Sequence, residues 1–149
     1  MARRITVAIT AIALATTLTA CGAGNSAPTR LIQQVTDGVE ANVKTDETLI
    51  YVRNLYISLN QAGDANLIAT IINQKEKEDA LIAMAINNQE IKIDPLPAKL
   101  NKPVIFGGPS SNASATLPAA GLIAGNRYPV SLFFGISGSV TLNALVVAE

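Results

Sequence analysis

The stretch that most constrains the fold is Leu49–Asn73, LIYVRNLYISLNQAGDANLIATIIN. Leu55, Ile57 and Leu59 alternate with Asn54, Tyr56 and Ser58, the period of two that sends successive side chains to opposite faces of a strand. Earlier in the same run Ile50 and Val52 carry the apolar phase. The phase therefore slips at Arg53–Asn54, as it does at a β-bulge. The spacing predicts strands over Leu49–Leu59 and Asn66–Asn73, joined by a turn at Asn60–Asp64. Leu67-Ile68-Ala69-Thr70-Ile71-Ile72 is apolar on both faces and belongs in the middle of a sheet.

The chain around this stretch reads the same way. Upstream, Leu31–Val35 and Val39–Val43 flank the turn dipeptide Asp37-Gly38. Downstream, Gln74–Asp79 alternates in charge and marks a solvated hairpin turn. It lacks the regular acidic spacing and the Gly of a calcium loop. Asp79–Ile86, DALIAMAI, has helical propensity, but it is short and ends at Asn87-Asn88, so length assigns it to a strand. Ile91 and Ile93 point inward from a strand over Glu90–Asp94. Pro95, Pro97 and Pro103 keep the next section out of the centre of a sheet. Val104-Ile105-Phe106 is a short strand and Ala113–Leu117 an edge strand. Gly107–Asn112, between them, lacks the Lys and Gly spacing of a phosphate cradle and reads as a surface turn. Two alternating runs, Arg127–Phe134 and Val140–Val147, close the chain around a hairpin at Gly135–Gly138. Seven to nine strands at this spacing predict an all-β Greek-key β-sandwich over residues 31–149. Its expected core includes Ile57, Leu67, Ile71, Leu132 and Val140, with Met84 beside Ile82 and Ile86. Ser58 and Ser131 fall on the opposite phase.

Residues 1–20 have the layout of a signal peptide: Arg3-Arg4, then the apolar run Ile5–Leu18. The segment closes on Leu18-Thr19-Ala20-Cys21, which resembles the bacterial lipobox. That resemblance implies cleavage before Cys21, lipidation of its sulfur and a membrane partner reached through the anchor. Two or three acyl chains suffice for stable anchoring where one holds weakly. Gly22–Thr29 is small and polar and reads as a tether within 21–30, with a reach on the order of 15 Å. The expected location is the extracytoplasmic face of the cell membrane.

Composition excludes several chemistries. The chain has no His and no Trp, and its one Cys is Cys21. Imidazole base catalysis, His-based metal sites and an internal disulfide are thereby removed. Without Arg3 and Arg4 there remain nine basic and eleven acidic groups, and no basic stripe suited to nucleic acid.

The order of motifs from Tyr51 to Val147 resembles the extracytoplasmic copper chaperones of the PCu(A)C type, and more closely their actinobacterial lipoprotein relatives. Tyr51-Val52-Arg53 matches an aromatic-Val-Arg start to the first long strand, and Asn73 matches an Asn that ends the next. Asp79-Ala80-Leu81 matches an Asp-x-Leu step. Gly125–Phe134 matches a Gly-Asp-x-x-Pro-Val-x-Leu-x-Phe strand, and Gly138–Leu142 a Gly-x-Val-x-Val strand. The resemblance implies a cupredoxin-like or immunoglobulin-like sandwich. The family's copper site, a His…Met…His-x-Met set, has no counterpart: His is absent, and Met84 is the one methionine beyond Met1. Soft thioether and imidazole donors suit Cu(I), and no other residue here replaces them.

Catalysis is not expected. Asp46-Glu47, and Glu76 with Glu78 and Asp79, are paired acids on turns, where carboxylates are ordinarily solvated. No cofactor or metal site is expected. The reading is a non-catalytic binding or accessory lipoprotein of the cell envelope, with another envelope protein as partner. Its alternative is a metal-homeostasis protein using partner-supplied ligands. Tyr51, Tyr56 and Phe133 are the outward aromatics available for contact.

Overall fold

The computed structural model describes residues 37–118 and 120–149. The signal segment 1–20, lipidation of Cys21, the tether and the apolar segment Leu31–Val35 lie outside the described residues. Ten strands run in order: β1 Val39–Lys44, β2 Leu49–Leu59, β3 Ala65–Asn73, β4 Asp79–Ile86, β5 Gln89–Ile91, β6 Leu96–Ala98, β7 Val104–Phe106, β8 Thr116–Leu117, β9 Arg127–Phe134 and β10 Gly138–Ala148. No helix occurs among the described residues. The expected all-β, cupredoxin-like class is what the chain adopts.

Two ladders make the fold. One holds β1, β2, β3, β7 and β8; the other holds β4, β5, β6 and β9. β10 belongs to both. Gly138–Leu145 pairs antiparallel with β9, and then Val146–Ala148 pairs parallel with Ile57–Leu59 of β2. The result is a curled mixed sheet in the order β5-β4-β9-β10-β2-β3-β7, closed around one core.

The bulge sits where the apolar phase slips. Arg53 pairs with Thr70 and Tyr56 with Ile68, so Asn54 and Leu55 face one residue of β3. Asn54 takes φ 50°, a left-handed conformation that Asn tolerates better than most residues. Gly38 packs against this kink so closely that an added Cβ would lie about 2.5 Å from the Asn54 backbone. The β2–β3 turn is held by Asn60, whose Oδ1 accepts from Ala62 N (3.0 Å) and Asp64 N (2.9 Å). β4 is a strand despite its propensity, because packing decides for so short a run. Asn87 and Asn88, both at positive φ, turn it back into β5.

Ile57, Leu67, Ile71, Leu132, Met84 and Ile86 are buried as expected, whereas Ile82, expected beside Met84, is 47% exposed, because the β4–β9 register shifts between Leu81 and Ala83. Val140 is only half-buried, because the first half of β10 lies toward the edge of the core before the strand reaches β2. Ser58 is buried at 7% exposure although its phase points outward. The end of β10 covers it, with Val147 opposite and Glu149 Oε1 accepting from its Oγ at 2.6 Å.

Candidate functional site

The long connection from Lys99 to Thr116 contributes to the lining of two clefts. β7 divides it, pairing Val104–Phe106 with Ile71–Ala69. On one side lies a cleft of about 300 Å³ lined by Leu96, Pro97, Lys99, Lys102, Pro103, Val104 and Asn112. On the other lies a cleft of about 270 Å³ lined by Asn66, Leu67, Ile68, the Gly107–Thr116 loop and Glu149. Gly107, at φ 79°, packs on Ile68 where a Cβ would overlap the side chain. The turn expected over Gly107–Asn112 lies at the surface, exposed from Gly108 to Asn112, and its Gly107, Gly108 and Ser111 also line this cleft.

The second cleft is lined by neutral polar groups and one carboxylate. Its donors and acceptors are partly spent: Thr116 Oγ1 donates to Asn66 Oδ1 at 2.7 Å, and Glu149 accepts from Ser58. The oxygens left are hard donors, poor ligands for a soft cation such as Cu(I). Among the described residues no three His, Cys, Asp or Glu side chains come together. Met84, at 0% exposure between Ile91 and Leu132 in register, is a core thioether.

The first cleft is different in charge. Lys99 and Lys102 lie on a tight turn in which Lys102 N donates to Lys99 O (3.1 Å) and Asn101 takes φ 57°. Asn112 ties that turn to β7, its Nδ2 donating to Pro103 O (3.0 Å) and its Oδ1 accepting from Ile105 N (2.8 Å). Sequence reading missed this site. Pro103, β7 and a glycine loop separate Lys99 and Lys102 from Asn112, and nothing local marks the three as neighbours.

The acid pairs divide. Asp46, Glu47, Glu76 and Glu78 are exposed, as turn carboxylates ordinarily are. Asp79 is the correction: it is buried at 3% exposure. Its Oδ1 accepts from Ala80 N (2.8 Å) and Ile136 N (2.9 Å), and its Oδ2 from Ser137 N (2.9 Å) and Ser137 Oγ (2.6 Å). With the Ser137 proton committed, Thr48 Oγ1 donates to Ser137 Oγ (2.7 Å) and Thr45 Oγ1 to Thr48 Oγ1 (2.7 Å). Burial raises the carboxyl's pKa, but the hydrogen bonds from Ser137, Ile136 and Ala80 outweigh it and hold it below its ordinary 3.8. Every acceptor position of the carboxylate is filled from within, so the cluster pins turns together and has nothing left for a substrate.

Of the outward aromatics, Phe133 is exposed while Tyr51 and Tyr56 are half-buried. Tyr51 lies under the Arg53 guanidinium, 4.3 Å from its ring centre. Arg53 also donates to Ala41 O (3.0 Å) and Val52 O (2.9 Å) and lies 3.6 Å from Glu40. These contacts brace β1 across the bulge.

No family model matches the sequence, and no curated protein matches it. Solved structures do match its fold. The apo PCuAC domain from PmoF1 superposes with a TM-score of 0.58 at 18% identity, covering 73% of this chain and 100% of that one. The chain has the fold of a PCuAC domain. The copper-bound PCuAC domain from PmoF2 matches at 0.58 and 17% identity, over 73% of this chain and 99% of that one. The apo PmoF2 domain matches at 0.54 and 16%. The scaffold implied by the motifs from Tyr51 to Val147 is thereby established.

Proposed function

We propose that the protein is a membrane-anchored extracytoplasmic lipoprotein whose PCuAC-type scaffold serves as a non-catalytic binding module of the cell envelope. One observation carries the separation from copper transfer. The scaffold is similar to that of a copper-bound PCuAC domain, while the chain has no His and seals Met84 in its core. Anchoring is supported by Leu18-Thr19-Ala20-Cys21 and the apolar run before it. A second reading, copper handling with ligands supplied by a partner, draws on the copper-bound PmoF2 domain having the same fold.

One variant tests both parts. Cys21→Ser moves the protein from the membrane fraction to the soluble extracytoplasmic fraction; retention in the pellet after a high-salt wash would remove the lipid anchor. The same variant, which cannot offer a thiolate, loses in competition with a Cu(I) chelator. Stoichiometric retention of one copper would restore the chaperone reading.

A further inference from the structure

We propose that the cleft between β6 and β7 binds a small anionic amphiphile, a carboxylate or phosphate group carried on a short apolar body. This deepens the binding-module reading by naming the ligand class. Its test reads occupancy of one cleft and is independent of copper.

The walls decide the class. Leu96, Pro97, Pro103 and Val104 present apolar surface, with Val104 itself only 6% exposed. The polar groups are two lysines and one amide, and the Asn112 amide is committed to Pro103 O and Ile105 N. What remains for recognition is positive charge. The Lys102 ammonium makes no ion pair or hydrogen bond among the described residues, its backbone N–H alone being engaged, with Lys99 O. Lys99 is paired with Glu78 at 3.5 Å, with both side chains about half exposed (50% and 52%). Such a screened pair is worth little and yields readily to a better anion. A purely apolar ligand would leave the Lys102 ammonium without a partner and gain nothing from Lys99, and a sugar would find no free acceptor among the named polar side chains. An acid with a short hydrocarbon body satisfies the lysines and the apolar wall together.

The cleft is also built in advance. Pro97 and Pro103 fix their backbone angles, the Lys99–Lys102 turn is hydrogen-bonded, and Asn112 braces it. A preformed site loses little free energy to ordering on binding. Its volume of about 300 Å³ lies at the small end of ligand pockets. The cleft across β7 makes the contrast, since its one charged group is the Glu149 carboxylate.

The full lipidated chain, in nanodiscs of phosphatidylcholine, is titrated with hexanoate and hexyl phosphate while the methyl NMR signals of Leu96 and Val104 are followed. Hexanol and inorganic phosphate serve as the neutral and the bare-anion probes. Both anionic amphiphiles shift both signals, and each control binds at least about five-fold more weakly. The double variant Lys99→Gln/Lys102→Gln loses about five-fold or more with its remaining methyl spectrum unchanged. Lys102→Gln alone loses less, in the same direction. No shift, equal binding of hexanol or inorganic phosphate, or unchanged affinity in the double variant overturns the proposal. Phosphatidylglycerol nanodiscs then separate the sources. Shifts without added ligand identify a lipid headgroup, whereas shifts only on adding hexanoate identify a soluble acid; both support the shared chemistry.

Discussion

The Asp79 cluster and the Lys99–Lys102 cleft both place charge at turns, and the fold treats the two charges in opposite ways. Asp79 is drawn inside, where two backbone amides of the β9–β10 hairpin, its own neighbour's amide and the Ser137 hydroxyl fill its acceptor sites. Lys102 is left outside, beside an apolar wall, with no anion of its own among the described residues. A charge satisfied from within fixes turns in place and is closed to other molecules. A charge held at a rigid, apolar cleft and left unpaired is open to them. On the proposal made above, that contrast is what separates structural from functional polarity.

The largest expected effect breaks the first half of the comparison. Asp79→Asn keeps the shape but turns an NH2 toward groups that are themselves donors, so it should destabilise the fold by about 3 kcal/mol in urea unfolding. A cost below about 1 kcal/mol would mean that the cluster does not hold the turns. Acid should produce a smaller loss by the same route. The folded carboxyl titrates below its ordinary 3.8, so its contribution is complete above that value. It fades as pH falls below about 3.8 toward the folded pKa, because the unfolded chain binds the proton first. Unfolding midpoints measured across that range should fall more steeply in the natural chain than in Asp79→Asn. The smallest effect sharpens the second half. Lys99→Gln and Lys102→Gln should each change stability by no more than about 0.5 kcal/mol, since both groups are exposed. A larger loss would make the lysines part of the frame and the cleft a by-product of it.

The residues that carried the family resemblance turn out to be the fold's own fasteners. Arg53 braces β1 over the bulge. Asn73 is fully buried and donates to Lys77 O (2.7 Å) and Ala98 O (2.9 Å) while accepting from Lys75 N (3.0 Å). Asp79 pins the β9–β10 hairpin. The motifs therefore identified the scaffold and were silent on what it binds. The solved PCuAC domains share the scaffold at 16–18% identity, a likeness of fold alone.

β4 was settled by packing and β6 was not foreseen, but by itself the sequence determined the long strands β2, β3, β9 and β10, the bulge at Arg53–Asn54, the turn at Asn60–Asp64 and the burial of Ile57, Leu67, Ile71, Leu132 and Met84. Each follows from alternation or from turn residues within a few positions, so local physics suffices. The absence of His, which limits the chemistry, is likewise a property of the sequence. Only the tertiary structure decided that Asp79 is buried, that Ser58 is covered, that Val140 lies at the core's edge and that Lys99, Lys102 and Asn112 share a cleft. The first three outcomes depend on β10 changing ladders and on contacts between residues 57 to 91 apart in sequence, and the cleft depends on how β7 and its flanking turns lie against β3. Period and propensity describe neighbours along the chain; they hold no information about which distant backbone amide will arrive at a carboxylate, or which strand end will cover a serine.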